Sequence, residues 1–280
     1  MIHLYTLIRN RKDILPYFLQ SIINFNYPKE KIKILFLVNN NDEEQTMGLL
    51  EQFKHEFDSL YKEIHIMEIR IPDLNNLPSQ SRVHGNPEGH KVMMKSLGFL
   101  RSIALDYVKE SGQDYLLSID SDVMLEPEGI NKLKSARFDH TAAKVFNDAS
   151  SQPEGVAFDE TRNKFRFINA GITVGKDKSG KKLYRSLSLK HPNQGSYTVE
   201  IIGACFLSDL SLVPKKADYL GEYNWGEDSN FCEKIDGNIG IDLNIETVHL
   251  MESHEGALAY LVKEGNCFGW WKRNNRYRFQ

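Results

Sequence analysis

Within its first 70 residues this sequence switches twice between short apolar runs and stretches of helical periodicity, and that alternation constrains the fold more than any other feature. Ile2 to Ile8 is apolar and β-prone. Asp13 is placed to cap a helix whose apolar positions, Ile14, Leu15, Phe18, Leu19, Ile22 and Ile23, share one face, and Tyr27-Pro28 ends it. Ile32 to Val38 (IKILFLV) has a single polar interruption, as expected of a strand buried on both faces. Met47, Leu50, Phe53 and Phe57 mark the inner side of a second helix, and Glu63 to Arg70 reads as a third strand. The order β-α-β-α-β predicts an α/β protein with a Rossmann-like, mostly parallel sheet flanked by helices. Ligands of such sheets bind beyond the carboxyl ends of the strands. Those ends are Ile8-Arg9, Asn39 to Asp42, and Ile71 onward.

Ile71 to His90 holds three prolines and two glycines without periodicity, the mark of a long functional loop. A helix is expected over Lys91 to Glu110, stopped by Gly112. Tyr115 to Ile119 is a fourth buried strand that runs directly into Asp120-Ser121-Asp122. The second half is less regular. Short apolar pieces (Ala142 to Phe146, Phe165 to Val174, Val199 to Leu207) alternate with polar turns. Between them the basic stretch Gly175 to Lys190 reads as a solvated loop or as a lid over an anionic donor. No repeat or linker divides the chain, so residues 1–280 are expected to form a single domain.

Composition narrows the function classes. A chain of 280 residues, 41% hydrophobic and 26% charged, can build a sizeable core. A net charge of −3 and a pI near 6.3 give no support to a nucleic-acid partner. Cys205, Cys232 and Cys267 are odd in number and lack CxxC spacing, which argues against a disulfide framework or zinc ribbon. They fit a reducing compartment, and a cytoplasmic location is the expectation. The N-terminus lacks the order of a signal peptide, and no run of about 18 apolar residues predicts a transmembrane helix. The closing WWKRNNRYRF is basic and aromatic, suited to a packed element with a solvated end or to membrane or acceptor contact.

Two acidic constellations carry the chemistry. Asp120 and Asp122, one residue apart at a strand end, can converge on a divalent cation or form a polar turn capping the next helix. Mg²⁺ and Mn²⁺ take such oxygen ligands and are completed by substrate phosphates and water. Gly226-Glu227-Asp228 precedes a helix start at Phe231. Asp228 can be its N-cap or a general base over a sugar cleft. Trp225 offers a flat apolar face for a sugar ring, or simply packs. His249 is a possible nitrogen ligand, with His254 competing for that role. Arg101, on the helix before the acidic strand end, can pair with Asp120 or contact phosphate. No GxGxxG, Walker A, GxSxG or HExxH occurs.

In this order the segments resemble inverting glycosyltransferases of family 2 and related families of the GT-A (nucleotide-diphospho-sugar transferase) fold. Leu7-Ile8-Arg9-Asn10-Arg11 with Ile14-Leu15 is similar to their opening strand and helix. Tyr27-Pro28 through Val38-Asn39-Asn40-Asn41-Asp42 is similar to their second strand and its nucleotide-contacting end. Arg101 with Ala104-Leu105, followed by Tyr115 to Asp122, resembles the stretch into their DxD motif. Gly203-Ala204-Cys205-Phe206-Leu207 resembles their strand beside the acceptor, and Gly226-Glu227-Asp228 their ED motif. Asn39 departs from the pattern, standing where the family has an acidic residue on the base.

The resemblance implies a hexosyltransferase-class enzyme that needs Mn²⁺ or Mg²⁺. Its donor would be a nucleoside diphosphate sugar, UDP-linked by preference and GDP-linked as the other option, and its acceptor a glycan, protein or lipid-linked hydroxyl. Residues 1–130 would be the nucleotide-sugar half and 131–280 the acceptor and catalytic half. It implies a nucleotide site of Leu7, Ile8, Arg9, Asn39, Asp42, Arg101, Asp120 and Ser121, and a metal site of Asp122, Asp120 and His249. Gly203, Ala204 and Trp225 would meet the acceptor, with Asp228 as base beside Glu227. Two other classes fit parts of the pattern. Leu116 to Val123 also matches the strand-DxDxV pattern of haloacid-dehalogenase phosphatases, with Asp120 as nucleophile. A catalytically silent nucleotide-sugar or glycan-binding module is the third.

Overall fold

A computed structural model of the chain describes residues 1–40, 43–72, 87–145, 157–159, 164–190, 195–221 and 226–250. The elements of the first half are β1 (Ile2–Ile8), α1 (Leu15–Ile23), β2 (Ile32–Asn39), α2 (Glu44–Phe57), β3 (Glu63–Ile69), α3 (Pro87–Glu110), β4 (Tyr115–Ile119) and β5 (Val123–Leu125). There follow α4 (Gly129–Ser135), β6 (His140–Ala143), β7 (Ala157–Asp159), β8 (Lys164–Lys176), β9 (Lys182–Leu189) and β10 (Ser196–Thr198). The described residues end with β11 (Ile201–Ile202), β12 (Cys205–Asp209), α5 (Glu227–Cys232), β13 (Ile239–Asp242) and β14 (Thr247–His249).

β1 lies between β2 and β4, parallel to both, and β3 extends the parallel set beyond β2. The full sheet among the described residues has eight strands in the order β10-β13-β6-β12-β4-β1-β2-β3. The nearly continuous apolar run of β2 is explained by its two faces. Ile34, Phe36 and Val38 pack with Phe18, Leu19 and Phe53 of α1 and α2. Leu35 and Leu37 pack with Leu100 and Ala104 of α3, in a core that also holds Phe231 of α5. Burying each such side chain stabilises the fold by about 1.5–3 kcal/mol, so helices on both faces are required.

The strand ends form one edge. β1, β2 and β4 run in register, so Ile8, Asn39 and Asp120 emerge at the same side of the sheet. β12 runs antiparallel to β4, pairing Cys205 with Ile119, and so brings Ala204 back to that edge. Among the described residues three non-glycine residues have positive φ: Asn10 (48°), Asn40 (43°) and Ala204 (59°). All three lie at this edge. Left-handed backbone is strained for L-residues and concentrates at functional sites.

The structure corrects the sequence reading at three points. Asp13 does not cap α1; Ile14 holds the N-cap position without a side-chain cap, and a proline in the first turn sets the start instead. Asp228 is not an N-cap either; that position is Gly226 (φ 92°), and both acids lie in the first turn of α5. The basic stretch 175–190 is no irregular loop, because β8 and β9 pair as an antiparallel hairpin through it. Asp42, Trp225, His254, Cys267, the closing basic-aromatic segment and most of the loop after Ile71 lie outside the described residues. Among the described residues no helix is long and apolar enough to cross a membrane.

Candidate active site

The site is built around a buried arginine. Arg101, on the inner face of α3, is only 5% exposed, and a guanidinium in that position must have its charge met. Its Nη2 donates to Asp120 Oδ1 at 2.7 Å and its Nε to Glu227 Oε1 at 2.9 Å. Its Nη1 reaches the Tyr5 hydroxyl at 3.3 Å and Ser118 Oγ at 3.4 Å. The Tyr219 ring lies 6.0 Å away, within cation–π range. Asp228 Oδ1 stands off at 4.0 Å. One side chain therefore ties the acid that follows β4 to Glu227 of α5, with Asp228 at the edge of its reach.

Asp122 faces a different set. Arg11 Nη2 pairs with its Oδ2 at 3.0 Å, and His249 Nε2 stands 3.7 Å from its Oδ1. The histidine is held there by the short antiparallel ladder of β14 with β5, in which His249 pairs with Val123. The backbone N–H of Leu250 donates to the Asp122 carbonyl. Glu126 braces the same ladder by accepting from Lys132 and from the Glu246 N–H. Burial works to raise the Asp122 pKa, but His249 and Arg11 outweigh it and hold the carboxyl below its ordinary value.

The α5 acids are positioned by close backbone approach. The Asp120 N–H donates to the Ala204 carbonyl at 2.8 Å, which places Gly203 beside Asp228. A Cβ on Gly203 would lie 2.2 Å from Asp228 Oδ2, so only glycine leaves that carboxylate room. Asp228 Oδ1 is buried and accepts no hydrogen bond among the described residues. Its pKa is raised well above the ordinary carboxylate value, chiefly by burial, with Glu227 and Asp120 adding to the shift and Arg101 opposing it. Asp120 is also raised: burial and the Asp122 charge prevail over Arg101.

A divalent cation fits this donor set. Four carboxylates (Asp120, Asp122, Glu227, Asp228) face two arginines, so the fully ionised cluster has an excess of negative charge. Among the described residues no group of three metal-binding side chains converges. The pair that does come together is Asp122 and His249, an oxygen and a nitrogen donor, and Mg²⁺-type sites commonly use one or two protein ligands completed by phosphate oxygens and water. Asp120 is turned toward Arg101 instead.

Of the other residues expected at the site, Leu7, Ile8 and Arg9 close β1, and buried Asn39 closes β2. Ser121 is buried between the two acids. Sequence reasoning missed Arg11, Tyr5 and Ser118 as site residues and had Asn40 only within the strand-end run Asn39 to Asp42. Asn40 exchanges two hydrogen bonds with the backbone of Ile71, its Nδ2 donating to the carbonyl at 2.7 Å and its Oδ1 accepting from the N–H at 2.9 Å. Asparagine's tolerance of left-handed backbone was the available signal for Asn10 and Asn40. Tyr5 and Ser118 read only as strand interior.

Residues 1–149 match the family model described as the glycosyltransferase family 25 N-terminal domain. An Aedes aegypti protein described as a glycosyltransferase 25 family member is 25% identical over 144 residues, covering 51% of this chain and 23% of that protein. The match thus spans under a quarter of that relative's length. Residues 1–349 of Staphylococcus aureus TarS superimpose with a TM-score of 0.52 and 11% identity, covering 98% of this chain and 73% of that one. The same protein in complex with UDP-GlcNAc gives a TM-score of 0.50 at 11% identity, covering 92% and 60%. At such identities the likeness is one of fold, and the fold is GT-A, as the segment order implied.

Proposed function

We propose that this chain, which belongs to glycosyltransferase family 25 through its N-terminal domain, transfers a sugar from a nucleoside diphosphate sugar to an acceptor hydroxyl with inversion at the anomeric carbon. A UDP-linked donor is preferred because the similar TarS structure holds UDP-GlcNAc at matching fold. The observation that carries the reading is the convergence, through buried Arg101, of Asp120 with Glu227 and Asp228. Acids distant in sequence meet at the strand-end edge where α/β sheets bind ligands.

In this reading the nucleotide lies over the ends of β1 and β2, with Leu7 to Arg9 and Asn39 as its floor. Asp122 and His249 would hold Mn²⁺ or Mg²⁺, which when bound supplies positive charge to the leaving diphosphate. Arg101 fixes Asp120 and Glu227, and Arg11 fixes Asp122. Gly203 and Ala204 form the wall on the acceptor side, with Trp225 next to the ED motif. Asp228 removes the acceptor proton. Its raised pKa suits that role, since a base is most effective when its pKa approaches the working pH. A phosphatase would instead use Asp120 as nucleophile, and the match of residues 1–149 to a glycosyltransferase family favours the transferase over it.

Asp228→Asn tests the assignment. UDP binding by calorimetry should survive, while turnover falls by roughly a hundredfold or more. NMR of the wild-type product should show the anomeric configuration opposite to the donor's. Near-normal turnover of the variant, or a retained configuration, would sink the proposal.

A further inference from the structure

The β8–β9 hairpin has two unlike faces. Its inner face is tied to the body. The Thr173 N–H donates to Glu200 at 3.1 Å and its hydroxyl to the same carboxylate. Lys182 pairs with Glu200 at 3.3 Å, and the Tyr184 hydroxyl donates to Glu233. Alternation along β9 turns Leu183 and Arg185 outward, and Val174 lies at the register shift between Thr173 and Gly175, beside the Gly175 that pairs with Leu183. Val174 is 51% exposed and Leu183 46%. Of the six large apolar side chains exposed among the described residues, these two lie on adjacent strands, Val174 next to Gly175, the partner of Leu183.

Around them the charge is strongly one-sided. From Val174 to Lys190 there are six cations (Lys176, Lys178, Lys181, Lys182, Arg185, Lys190) and one anion, Asp177. That gives the segment +5 in a chain of net charge −3, so the remainder carries −8. Asp177 is taken up by the turn itself, accepting from the Ser179 hydroxyl and N–H and from the Lys181 N–H at 2.6–3.0 Å. Lys176, Lys178 and Arg185 are exposed.

We propose that this hairpin is a docking surface for an anionic lipid bilayer, with Val174 and Leu183 entering the headgroup region and the cations contacting lipid phosphates. The apolar content selects this partner. Two aliphatic side chains are far short of the roughly 20–30 residues per side of a stable protein interface. They suit a shallow membrane contact, in which a small apolar insertion is reinforced by basic residues attracted to anionic headgroups. The inner face supplies the rigidity: three inward side chains are held on Glu200 and Glu233, so the outer face is presented as a unit. The proposal is independent of the transferase reading, because nothing in it involves the acids of the site.

The test is flotation of the full chain with vesicles of phosphatidylcholine alone or mixed with phosphatidylglycerol. Binding is expected to the mixed vesicles only, and to fall steeply with added salt. The K178Q/R185Q variant should lose about fivefold in partitioning per cation removed, roughly 25-fold for both. V174D/L183D should also bind more weakly, while K215E/K216E, a pair of exposed lysines elsewhere, should bind as the unaltered chain does. Equal binding to neutral vesicles, or none to either kind, would overturn the proposal using unaltered protein alone. Undiminished vesicle binding by V174D/L183D, together with tight retention on heparin, would overturn it in favour of a soluble polyanion.

Discussion

Replacing Arg101 by methionine asks how much the fold depends on the arginine at the centre of its site. The substitution keeps most of the apolar stem and removes the guanidinium. Glu227, whose side chain is 7% exposed, then loses its charge partner in a place water hardly reaches. Asp120, at 33%, can recover some hydration. Breaking a buried ion pair from one side costs about 3–5 kcal/mol. The lower end is expected here, since only one of the two carboxylates is fully stranded. For a chain of this size each kcal/mol moves the melting temperature by roughly 2 °C, so calorimetry should record a fall of about 6–10 °C. The companion variant Arg101→Met/Glu227→Leu removes the stranded charge along with its partner and should recover most of the loss, because apolar replacement of a buried pair is often neutral. Arg101→Lys should recover little, since one ammonium lacks the planar fork that serves Glu227 and Asp120 together. A fall of under about 2 °C in the single variant, or a double variant no more stable than the single, would refute the reasoning.

Two further outcomes follow from the geometry. Gly203→Ala puts a methyl 2.2 Å from Asp228 Oδ2 and must push that carboxylate aside; turnover should fall about a hundredfold with donor KM little changed, and a normal kcat would remove Gly203 from the site. His3, on β1 with its ring edge-to-face against Tyr107 of α3 and its Nδ1 2.9 Å from Ser111 Oγ, has its pKa lowered from 6.5 to about 4, mainly by burial and then by Lys33. The unfolded chain takes up a proton there first, so the stability His3 contributes is complete above pH 6.5 and is lost as pH falls toward 4. The full loss is on the order of 3 kcal/mol, and denaturant titrations of His3→Gln across that window should show a flatter profile; an unchanged slope would assign the acid sensitivity elsewhere.

The parallel half of the fold was legible because its signals are local. β2 announces itself by an apolar run broken only at Lys33 and β4 by the acids at its end. The second half was harder to read. KLYRSLSL of β9 does alternate with period two, but five lysines and an arginine in and around it masked the pattern. The site divides the same way. Asp120, Asp122, Glu227, Asp228 and His249 could be nominated as residue types at suggestive positions. That His249 faces Asp122 is a product of a ladder three residues long, too short to leave a periodicity. Arg11 carries no mark that distinguishes it from Arg9, and its pairing with Asp122 is set by the path of the chain after β1. Ala204, strained at φ 59°, has no residue-type signal at all.

The two acids of α5 are adjacent in sequence yet physically unlike, and the difference supports Asp228 as the base independently of any family pattern. Arg101 Nε lies 2.9 Å from Glu227 and 4.0 Å from the nearest oxygen of Asp228. The guanidinium charge is thus spent on Glu227, a hydrogen-bonded partner that anchors the helix start. Asp228 receives the burial with only a distant charge to offset it: Arg101 makes no hydrogen bond to it, one oxygen accepts none among the described residues, and the other lies against the bare backbone of Gly203. A carboxylate so placed is destabilised as an anion, which is the property that makes it take up a proton. A paired carboxylate in the same cleft would be stable and correspondingly inert. Glutamate's extra methylene carries its oxygens back to Arg101, while the shorter aspartate keeps its own toward the Gly203 wall; exchanging the two would give Arg101 the wrong partner and leave the cleft without a strained base.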